Sequence, residues 1–580
     1  MCGINGIVRL TPDAPPIDRE EVIRTREAMT SRGPDGAGAW ISEHASLASR
    51  RLAILDLSEA GAQPMVTPDG RFVIVLNGEI YNFRELRQEL AGEGTRFRSR
   101  SDTEVILYLY LRYGERMLPR LRGMFALAIW DDDERRLLLA RDPLGIKPLY
   151  YSNQGGCLRF ASQVKALEAG GALSRDVDPA GLAGFLLWGS VPEPFTIRRA
   201  VRALPAGSFL KVEGGRVGEP ESFYRFGAAP AEPLAPAAAV EDSVRAHLVS
   251  DVPVAVFLSA GLDSGLIAAL ARRHLPEPPA TFTLRFDVLE GTPLDEAPLA
   301  AEVAWTLGTR HVERRVGRAD FADLWPAAVA AMDQPSIDGF NTYVVCRAAH
   351  EAGLKVVLSG LGGDEVFGSY PSFHDVPAAV QAAQIPGAPV LWPALSRLVP
   401  SRPKLRGLAR YGRSLPGAYF LRRGLFLPEE LPRLIGRDRA EEGLRVYDPV
   451  ADAGHVLDGM GTDDPWLAVH LLETARYMRN QLLRDSDWAS MAHSVELRVP
   501  LVDAWLREHL AAQRFEPARS QGKAALVREA APELPEAVFQ RPKTGFYIPV
   551  MEWLEPGRKG RSLGDQSRRL ALRILAEIGI

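Results

Sequence analysis

The 580-residue sequence predicts a two-domain α/β protein, because a chain of this length exceeds a single hydrophobic core. Three observations support this. Residues 2–225 are rich in short apolar strands, and residues 226–239 have the Ala- and Pro-rich composition of a linker. Strands and helices then alternate from residue 240, which is typical of a doubly wound parallel sheet. We expect this second domain, 240–555, to become mostly helical beyond residue 376 and to be followed by a surface tail over 556–580.

The N-terminal elements follow from apolar stretches and turn residues. Three stretches have strand character, at 72–76, 124–130 and 136–140, and the acidic residues 131–134 form the turn between the last two. Two capping boxes predict helix starts, at Asn82 with Glu85 and at Ser101 with Glu104. Gly92 and Gly114 would end these two helices.

The C-terminal elements alternate in type. A buried strand is predicted at 254–258, and further strands are predicted at 281–286, 311–316 and 355–358. Helices are predicted directly after the loop 259–264 and at 295–308, 320–332 and 341–352. Each helix would cross from one parallel strand to the next, so that loops at the carboxyl ends of the strands share one edge of the sheet.

Composition restricts the class of protein. A net charge of −4, with 46% hydrophobic and 24% charged residues, gives no reason to expect nucleic acid or a membrane surface as a partner. The cysteines Cys2, Cys157 and Cys346 are far apart and odd in number, so they suggest neither a disulfide framework nor a metal pattern. We expect a cytoplasmic protein, because no signal peptide and no apolar run of about 18 residues are visible.

Cys2 stands directly behind Met1, and a side chain this small normally allows the methionine to be removed. The mature chain would then begin with a thiol and a free α-amine on one residue. An α-amine titrates near pH ~8, so that much of it is neutral and able to act as a base. A nucleophile and its base would therefore lie together. Taken alone, the position of this cysteine could equally be arbitrary.

Five motifs follow Cys2-Gly3-Ile4 in a fixed order: Arg32-Gly-Pro-Asp-Gly36, Arg51-Leu-Ala-Ile-Leu55, Asn77-Gly-Glu-Ile-Tyr-Asn82, Ser101-Asp-Thr-Glu104 and Arg141-Asp-Pro-Leu-Gly-Ile-Lys-Pro-Leu-Tyr150. Each is weak alone, but together they are specific. Residues 2–215 thereby resemble the glutaminase domain of the class II, N-terminal-nucleophile amidotransferases. The resemblance implies an αββα sandwich and glutamine as a substrate.

The same resemblance implies roles for single residues. Cys2 would be the nucleophile that attacks the glutamine amide, and the Asn77 side chain with the Gly78 N–H would form the oxyanion hole. Arg51 and Asp102 would bind the carboxylate and the amine of glutamine, with Glu79 lining the pocket. From the residues alone, Arg51 fits a surface ion pair and Asp102 a helix start.

A second candidate site follows the strand at 254–258. The loop Ser259-Ala-Gly-Leu-Asp-Ser264 has no Gly-Lys-Ser/Thr, so it is not a Walker loop. A strand, a loop of small residues and a helix suit a phosphate group. The loop resembles the pyrophosphate loop of ATP pyrophosphatases, with Ala260 in place of a glycine. ATP would therefore contact Ser259, Gly261, Asp263 and Ser264.

The segment Ser359-Gly-Leu-Gly-Gly-Asp-Glu365 follows the strand at 355–358 and resembles a motif of the asparagine synthetases. Asp263 and Asp364 would hold Mg²⁺ at the pyrophosphate, because hard oxygen ligands and phosphate suit that ion. By family position, Ser359, Gly360, Phe257 and Leu284 would contact AMP. The last two fit core residues equally well.

Three later segments also match this family, at 490–503, 521–523 and 541–546. Lys523 corresponds to a catalytic lysine whose charge would stabilise the phosphate and the leaving group. Arg498 and Lys543 fit phosphate neighbours or structural ion pairs. For His493 a structural role is favoured over that of a general base.

Residues 2–555 as a whole resemble glutamine-hydrolysing asparagine synthetases. The implied reaction is attack of an acceptor carboxylate on ATP, followed by displacement of AMP with ammonia carried internally from glutamine. Leu361 departs from the family, which often has a glutamate here. Another acid, among Asp333, Asp338 and Glu365, would replace that glutamate, or else the acceptor lacks the α-amine of aspartate. The stretch 333–343 would line the acceptor pocket, where Asn341 and Thr342 fit either substrate binding or helix capping.

The sequence allows three other functions besides the amidation of aspartate. A tailoring amidotransferase would apply the same chemistry to a sugar acid, a peptide or another metabolite. A ring closer of the β-lactam-synthetase type is disfavoured because Cys2 and the glutamine-binding residues are kept. A non-catalytic glutamine or nucleotide sensor is disfavoured by the intact nucleophile and loop acids. A homodimer is left open, because sequence does not fix the oligomeric state.

Overall fold

The structure is a computed structural model, and it describes residues 2–227, 230–388, 392, 404–458, 463–542, 550–555 and 563–580. The N-terminal strands are β1 Cys2–Arg9, β2 Gly36–Ile41, β3 Ala45–Arg51, β4 Met65–Val66, β5 Phe72–Ile80, β6 Gly123–Asp131, β7 Arg136–Arg141, β8 Tyr150–Gln154, β9 Cys157–Ala161, β10 Arg202–Ala203, β11 Ser208–Glu213, β12 Arg216–Val217 and β13 Glu221–Ser222. The helices here are α1 Arg19–Glu27, α2 Phe83–Gly92, α3 Asp102–Tyr113, α4 Val164–Gly170 and α5 Pro179–Trp188.

Two antiparallel sheets form the N-terminal domain. One has the strand order β10-β8-β9-β1-β3-β2, and the other runs β12-β11-β7-β6-β5-β4 with β13 beside β11. Their inner faces meet in one apolar layer that includes Ile4, Leu47, Val75 and Ala128. Helices α1 and α4 pack on the first sheet, and α3 packs on the second. The predicted αββα sandwich is confirmed.

The helix ends differ from the predicted capping boxes. Asn82 makes no side-chain cap, because its amide instead bridges the Arg120 carbonyl and the Arg122 N–H, both at 3.0 Å. Ser101 does cap α3 by accepting from the Thr103 N–H at 3.1 Å. Glu104, however, accepts from the Arg98 and Ser99 N–H groups rather than from Ser101. Neither predicted capping box is therefore formed.

The C-terminal strands are β14 Val254–Phe257, β15 Ala280–Phe286, β16 Arg310–Val316, β17 Val356–Leu358 and β18 Glu496–Arg498. The helices up to residue 383 are α6 Pro236–His247, α7 Leu262–His274, α8 Ala297–Leu307, α9 Arg318–Ala331, α10 Phe340–Glu351, α11 Gly363–Val366 and α12 Ser372–Ala383. All five strands are parallel, in the order β16-β15-β14-β17-β18. The predicted doubly wound sheet is confirmed.

The strand order reverses between β14 and β17. Strands β15 and β16 follow on one side of β14, whereas β17 and β18 lie on the other. Val254 and Val256 pack towards one helical layer, and Ala255 packs towards the opposite one. A crevice at the carboxyl ends of the strands is expected at such a reversal point.

The remaining helices are α13 Leu405–Tyr411, α14 Leu415–Arg423, α15 Leu431–Ile435, α16 Arg437–Val446, α17 Pro449–Leu457, α18 Pro465–Leu472, α19 Arg484–Met491, α20 Ala504–Ala512, α21 Glu516–Ser520, α22 Gly522–Ala530, α23 Glu536–Gln540, α24 Val550–Leu554 and α25 Leu563–Glu577. A π-helix, Glu473–Leu483, continues α18 into α19. The expected helical character beyond residue 376 is thus observed. Among the described residues, every helix is too short or too polar to cross a membrane.

Two predicted segment boundaries were wrong. Helix α6 begins at Pro236, inside the predicted linker 226–239, and Ala239 is buried in the core. The predicted surface tail contains α25, whose Ala571 and Ile574 are fully buried in the largest apolar cluster. Apolar residues at helical spacing make α25 an amphipathic helix that needs a partner surface. Residues 556–562 of that tail lie outside the described part of the chain.

Candidate active sites

Cys2 is the first described residue of β1, and it is only 4% exposed. It faces Arg51 across the β1–β3 ladder, and the Gln63 amide nitrogen lies 3.9 Å from its sulfur. Burial raises the pKa of the thiol, and the Arg51 guanidinium acts against that shift. A buried thiol beside a cation is an environment in which a nearby base can generate a thiolate.

Asn77 lies on β5 directly beside Cys2. Its side-chain oxygen accepts from the Cys2 backbone nitrogen at 3.1 Å. Its amide nitrogen is buried and has no hydrogen-bond acceptor within the residues that the structure describes. Gly78 has a φ of +155°, and a Cβ there would lie 2.0 Å from the Met124 carbonyl oxygen. The Asn77 side-chain amide is thus a hydrogen-bond donor without an acceptor near Cys2. Only glycine can occupy the next position in the strand.

The three predicted glutamine-binding residues have different surroundings. Arg51 donates to the carbonyls of a loop, to Leu55 at 3.1 Å and Asp56 at 2.5 Å. Asp102 is buried and accepts from the Ile80 N–H at 2.9 Å, while burial raises its pKa. Glu79 is buried as well, but it lies 3.9 Å from Arg498 of the synthetase half. Arg51 therefore faces Cys2 across the ladder, Asp102 is bound to the backbone of Ile80, and Glu79 also belongs to the contact between the halves.

Sequence reasoning missed a buried ion pair behind Cys2. Arg32 is fully buried and donates to both oxygens of Asp487, at 2.6 and 3.0 Å. Its Nε also donates to the Cys2 carbonyl at 3.3 Å, and the Lys147 ammonium lies 4.0 Å from Asp487. Arg32 and Lys147 stand in the motifs quoted above, but their partner is more than 300 positions away in sequence. A carboxylate of the second half thus fixes the backbone of the candidate nucleophile.

We expect Asp487→Asn to destabilise the protein by about 3–5 kcal/mol, because it leaves two buried cations without their carboxylate. Denaturant titration of the full chain would measure the loss. The control is Glu536→Gln, which removes a solvent-exposed partner of Arg528 and should leave the free energy of unfolding nearly unchanged. A loss for Asp487→Asn no larger than that of the control would contradict the assigned ion pair.

A cavity of about 410 Å³ lies at the reversal point of the parallel sheet. Every predicted ATP-contact residue lines it: Phe257, Ser259, Gly261, Asp263, Ser264, Leu284, Ser359 and Gly360. The first loop is held by its own hydroxyls, since Ser259 Oγ lies 2.8 Å from Ser264 Oγ and accepts from the Gly261 N–H at 3.1 Å. The two loops touch so closely that a Cβ on Gly363 would lie 2.3 Å from Asp263 Oδ1.

Lys523 joins the two loop carboxylates. Its ammonium lies 2.7 Å from Asp263 Oδ2 and 2.6 Å from Asp364 Oδ1. Burial disfavours the charged lysine, but the two carboxylates outweigh this effect and raise the pKa of Lys523. No cluster of three or more His, Cys, Asp or Glu side chains that could hold a metal occurs within the described residues. A metal here would therefore need phosphate oxygens beside Asp263 and Asp364.

The acids considered as replacements at Leu361 are not equivalent. Asp333 accepts from the Val164 and Lys165 N–H groups at 3.1 and 3.0 Å, so it caps α4 of the N-terminal domain. Glu365 is buried against the Tyr370 hydroxyl at 3.0 Å, and burial raises its pKa to about 7. Neither lines the nucleotide cavity, whereas Leu361, Asn341 and Thr342 do.

Arg498 is not a phosphate neighbour. Its guanidinium is fully buried, donating to Glu496 at 2.5 Å and to the His247 carbonyl at 2.7 Å. Its backbone carbonyl accepts from the Ser359 N–H at 2.9 Å. This residue thus connects the second phosphate loop to the region of Glu79. Lys543, the other predicted phosphate neighbour, lies outside the described residues.

An apolar contact joins the two halves between the candidate sites. Tyr81, Met124, Leu144 and Ile146 of the N-terminal domain pack against Met478, Leu483, Val499 and Val502 of the second half. Leu361 of the second phosphate loop packs on the same cluster. The leucine therefore has a packing role at the boundary, which a glutamate could not fulfil without burying a charge.

Comparison with known proteins agrees with both halves. A family model described as a glutamine amidotransferase domain matches residues 1–224, and one described as asparagine synthase matches residues 236–573. Asparagine synthetase 1 (glutamine-hydrolyzing) of Bacillus subtilis is 31% identical over 96% of this chain and 88% of its own length. Asparagine synthetase B (glutamine-hydrolyzing) of Escherichia coli is 34% identical over 65% of this chain and 66% of its own.

A solved structure, glutamine phosphoribosylpyrophosphate amidotransferase from B. subtilis complexed with ADP and GMP, is similar with a TM-score of 0.30 and 17% identity. The similarity covers 44% of this chain and 60% of that one, less than two thirds of its length. The two domains and the two family matches define a glutamine-hydrolysing amidotransferase ligase. The chain belongs to the asparagine synthetase family, which uses ATP as a substrate. The predicted family and enzyme class are confirmed.

Proposed function

We propose that this protein forms an amide from a carboxylic acid, with glutamine as the nitrogen donor and ATP as the source of activation. Aspartate is the acceptor that family membership favours, which would give asparagine, glutamate, AMP and diphosphate. The observation that carries the proposal is a pair of sites in one chain, a buried cysteine beside Asn77 and a lysine-bridged phosphate-loop cavity. A tailoring reaction on a longer acid is the second candidate, favoured by Leu361.

In the first half, Cys2 would attack the side-chain carbonyl of glutamine. The amide nitrogen of Asn77, buried and without an acceptor among the described residues, would donate to the oxyanion. Removal of Met1 would turn the Cys2 nitrogen into an α-amine, held by the Asn77 oxygen, that takes the thiol proton. Ammonia would then leave from the tetrahedral intermediate, and water would release glutamate from the thioester. Arg51 and Asp102 are proposed to bind the charged end of glutamine.

In the second half, an oxygen of the acceptor carboxylate would attack the α-phosphorus of ATP, and the bond to diphosphate would break. The product is an acyl-adenylate, whose carbonyl ammonia attacks with AMP as the leaving group. Lys523 would supply positive charge to the phosphate oxygens at this step. Its position between Asp263 and Asp364 supports this role, because both loops are thereby fixed to one ammonium.

Asp263 and Asp364 would also hold Mg²⁺ when ATP is bound. Two carboxylates with phosphate oxygens are a ligand set that this ion accepts, since it rarely needs an all-protein cage. When bound, the ion would neutralise charge on the departing diphosphate. The carboxylates themselves would orient the two loops and keep Lys523 in place.

The apolar contact that contains Leu361 supports internal transfer of ammonia. Free ammonia is mostly protonated at neutral pH, and the ammonium ion is not a nucleophile. An interface of buried Tyr81, Met124, Met478 and Val502 excludes water between the two sites. Neutral ammonia could pass there without being protonated.

The proposal is tested with amide-¹⁵N glutamine, ATP, Mg²⁺ and aspartate. We expect ¹⁵N-asparagine in equal amounts with AMP and diphosphate. Glucuronate and a dipeptide, tested in parallel, represent the tailoring alternative. Glutamate release without diphosphate formation for every acid would refute the synthetase role, and diphosphate formation with another acid but not with aspartate would refute aspartate as the acceptor.

A further inference from the structure

A second cavity of about 410 Å³ lies where the two halves meet, and neither of the two proposed reactions takes place in it. Trp188 and Ser190 of the N-terminal domain close one side. Arg476, Tyr477 and Asn480 of the π-helix close another. The cavity is therefore a space between domains rather than a defect within one core.

The π-helix contributes residues both to this cavity and to the apolar contact between the halves. Because its hydrogen bonds run from i to i+5, its turns are wider than those of an α-helix. Asn480 and Gln481 line the cavity, while Met478 and Leu483 belong to the apolar contact that holds Leu361. π-helical turns are frequent at functional sites. This element thus connects the cavity wall to the synthetase site.

Asn480, which lines the cavity, has a buried polar atom without a partner. The residue is only 4% exposed, and its side-chain oxygen, Oδ1, has no hydrogen-bond partner within the described residues. A buried amide oxygen without a donor is costly and rare. Because Asn480 lines the cavity, a bound molecule that carries an N–H or O–H group would satisfy it.

The charged residues that line the cavity indicate which other chemical group a bound molecule would carry. Lys404, Arg422, Arg423 and Arg476 line the cavity, against Asp338 as the lining carboxylate. The three arginines are each paired with a carboxylate, Arg422 with Asp375 at 2.8 Å, Arg423 with Glu473 at 2.9 Å and Arg476 with Asp452 at 2.8 Å. Within the described residues Lys404 has no carboxylate partner, and its ammonium donates to the Gly424 carbonyl. What the wall still offers a ligand is the Lys404 ammonium and the buried Nε of Arg476, which has no acceptor within the described residues. Two such N–H donors suit a carboxylate group.

The cavity adjoins the nucleotide site through a smaller space of about 190 Å³. Ile337 and Asp338 line both the large cavity and this space. Asn341 lines both this space and the nucleotide cavity. The three spaces therefore follow one another along residues 337–341.

We infer that the interdomain cavity binds the far end of a second class of acceptors, carboxylic acids longer than aspartate that end in another carboxylate. The inference rests on the proposed function, because the reacting carboxylate must lie at Lys523. The far carboxylate would lie among the cations, and an N–H group of the acceptor would donate to Asn480. Aspartate is too short to occupy both places.

Isothermal titration calorimetry on the full chain tests this with aspartate, 2-aminopimelate and γ-glutamylglutamate. The main variant is Asn480→Leu, which keeps the volume and removes the unsatisfied amide, so that folding should be unaffected. Arg476→Gln is the second variant, and Arg528→Gln on the surface is the control. We expect a longer acid to bind the wild type, Asn480→Leu to weaken that binding at least tenfold, and aspartate binding to be unchanged.

The inference is overturned if neither longer acid binds below 10 mM, or if both bind Asn480→Leu as well as the wild type. Diphosphate release from ATP separates the two proposals. Release with aspartate that is unaffected by the variants, together with no binding of longer acids, would keep the proposed function and remove this inference. Variant-sensitive binding without diphosphate release for any acid would keep the cavity as an acid-binding site and refute the proposed function.

Discussion

Replacement of Cys2 by alanine is expected to lower glutamine-dependent amide formation by at least about a thousandfold, while ammonia-dependent formation stays within about threefold of the wild type. Loss of a nucleophile removes the covalent route, and such losses are typically large. The synthetase cavity is built from other residues, so that added ammonia should still reach the acyl-adenylate. Product formation with glutamine and with ammonium chloride, measured side by side, gives both values.

Cys157→Ala is the matched control, because Cys157 is also a buried cysteine on a strand of the same sheet. It should keep both activities within about twofold. Mass spectrometry of the intact wild type should show a chain that starts at Cys2. Loss of the ammonia-dependent activity in Cys2→Ala would contradict two separate sites, and retained glutamine use would remove Cys2 as the nucleophile.

Lys523→Met is expected to reduce acid-stimulated diphosphate release by about a hundredfold or more, with glutamine hydrolysis preserved. The methionine has a similar shape but no charge, so Asp263 and Asp364 lose the ammonium that joins them. Charge stabilisation at a reacting phosphate contributes a few kcal/mol, which corresponds to this loss in rate. Diphosphate release with saturating ATP measures the effect.

Lys211→Met serves as the control, since Lys211 lies on β11 of the N-terminal domain and pairs only weakly with Glu115 at 3.4 Å. It should leave diphosphate release unchanged. A normal rate in Lys523→Met would show that Lys523 only holds the loops. A parallel loss of glutamine hydrolysis would instead indicate that the variant disturbs the whole fold.

Local patterns predicted the parts of the structure that depend on neighbours in sequence. Four of the five parallel strands were expected within two residues of their observed bounds, whereas β18, which is Glu-Leu-Arg, has no apolar stretch that could have predicted it. The residues around Cys2 and around the phosphate loops were located by short motifs, and the structure brings each set together.

Contacts between distant segments could not be predicted. Asp333 was considered for a role in acid–base chemistry, but it caps α4, some 170 positions earlier. The tail was expected to be exposed because its basic stretch at 558–561 suggests solvent, yet Trp325 donates to Glu577 at 2.9 Å and holds α25 in place. The π-helix has no signature in a single sequence, since its spacing lies between patterns that also occur in α-helices.

Arg498 has a consequence for dividing the protein into modules. Its backbone is part of the parallel sheet, whereas its side chain lies against Glu496 near Glu79 of the other half. Cutting the chain near residue 230 would open this contact and the Arg32–Asp487 pair at once, leaving charged groups of both fragments on newly exposed surfaces. Exchange of amidotransferase halves among relatives should therefore succeed only when the charged residues on both sides are exchanged as a set.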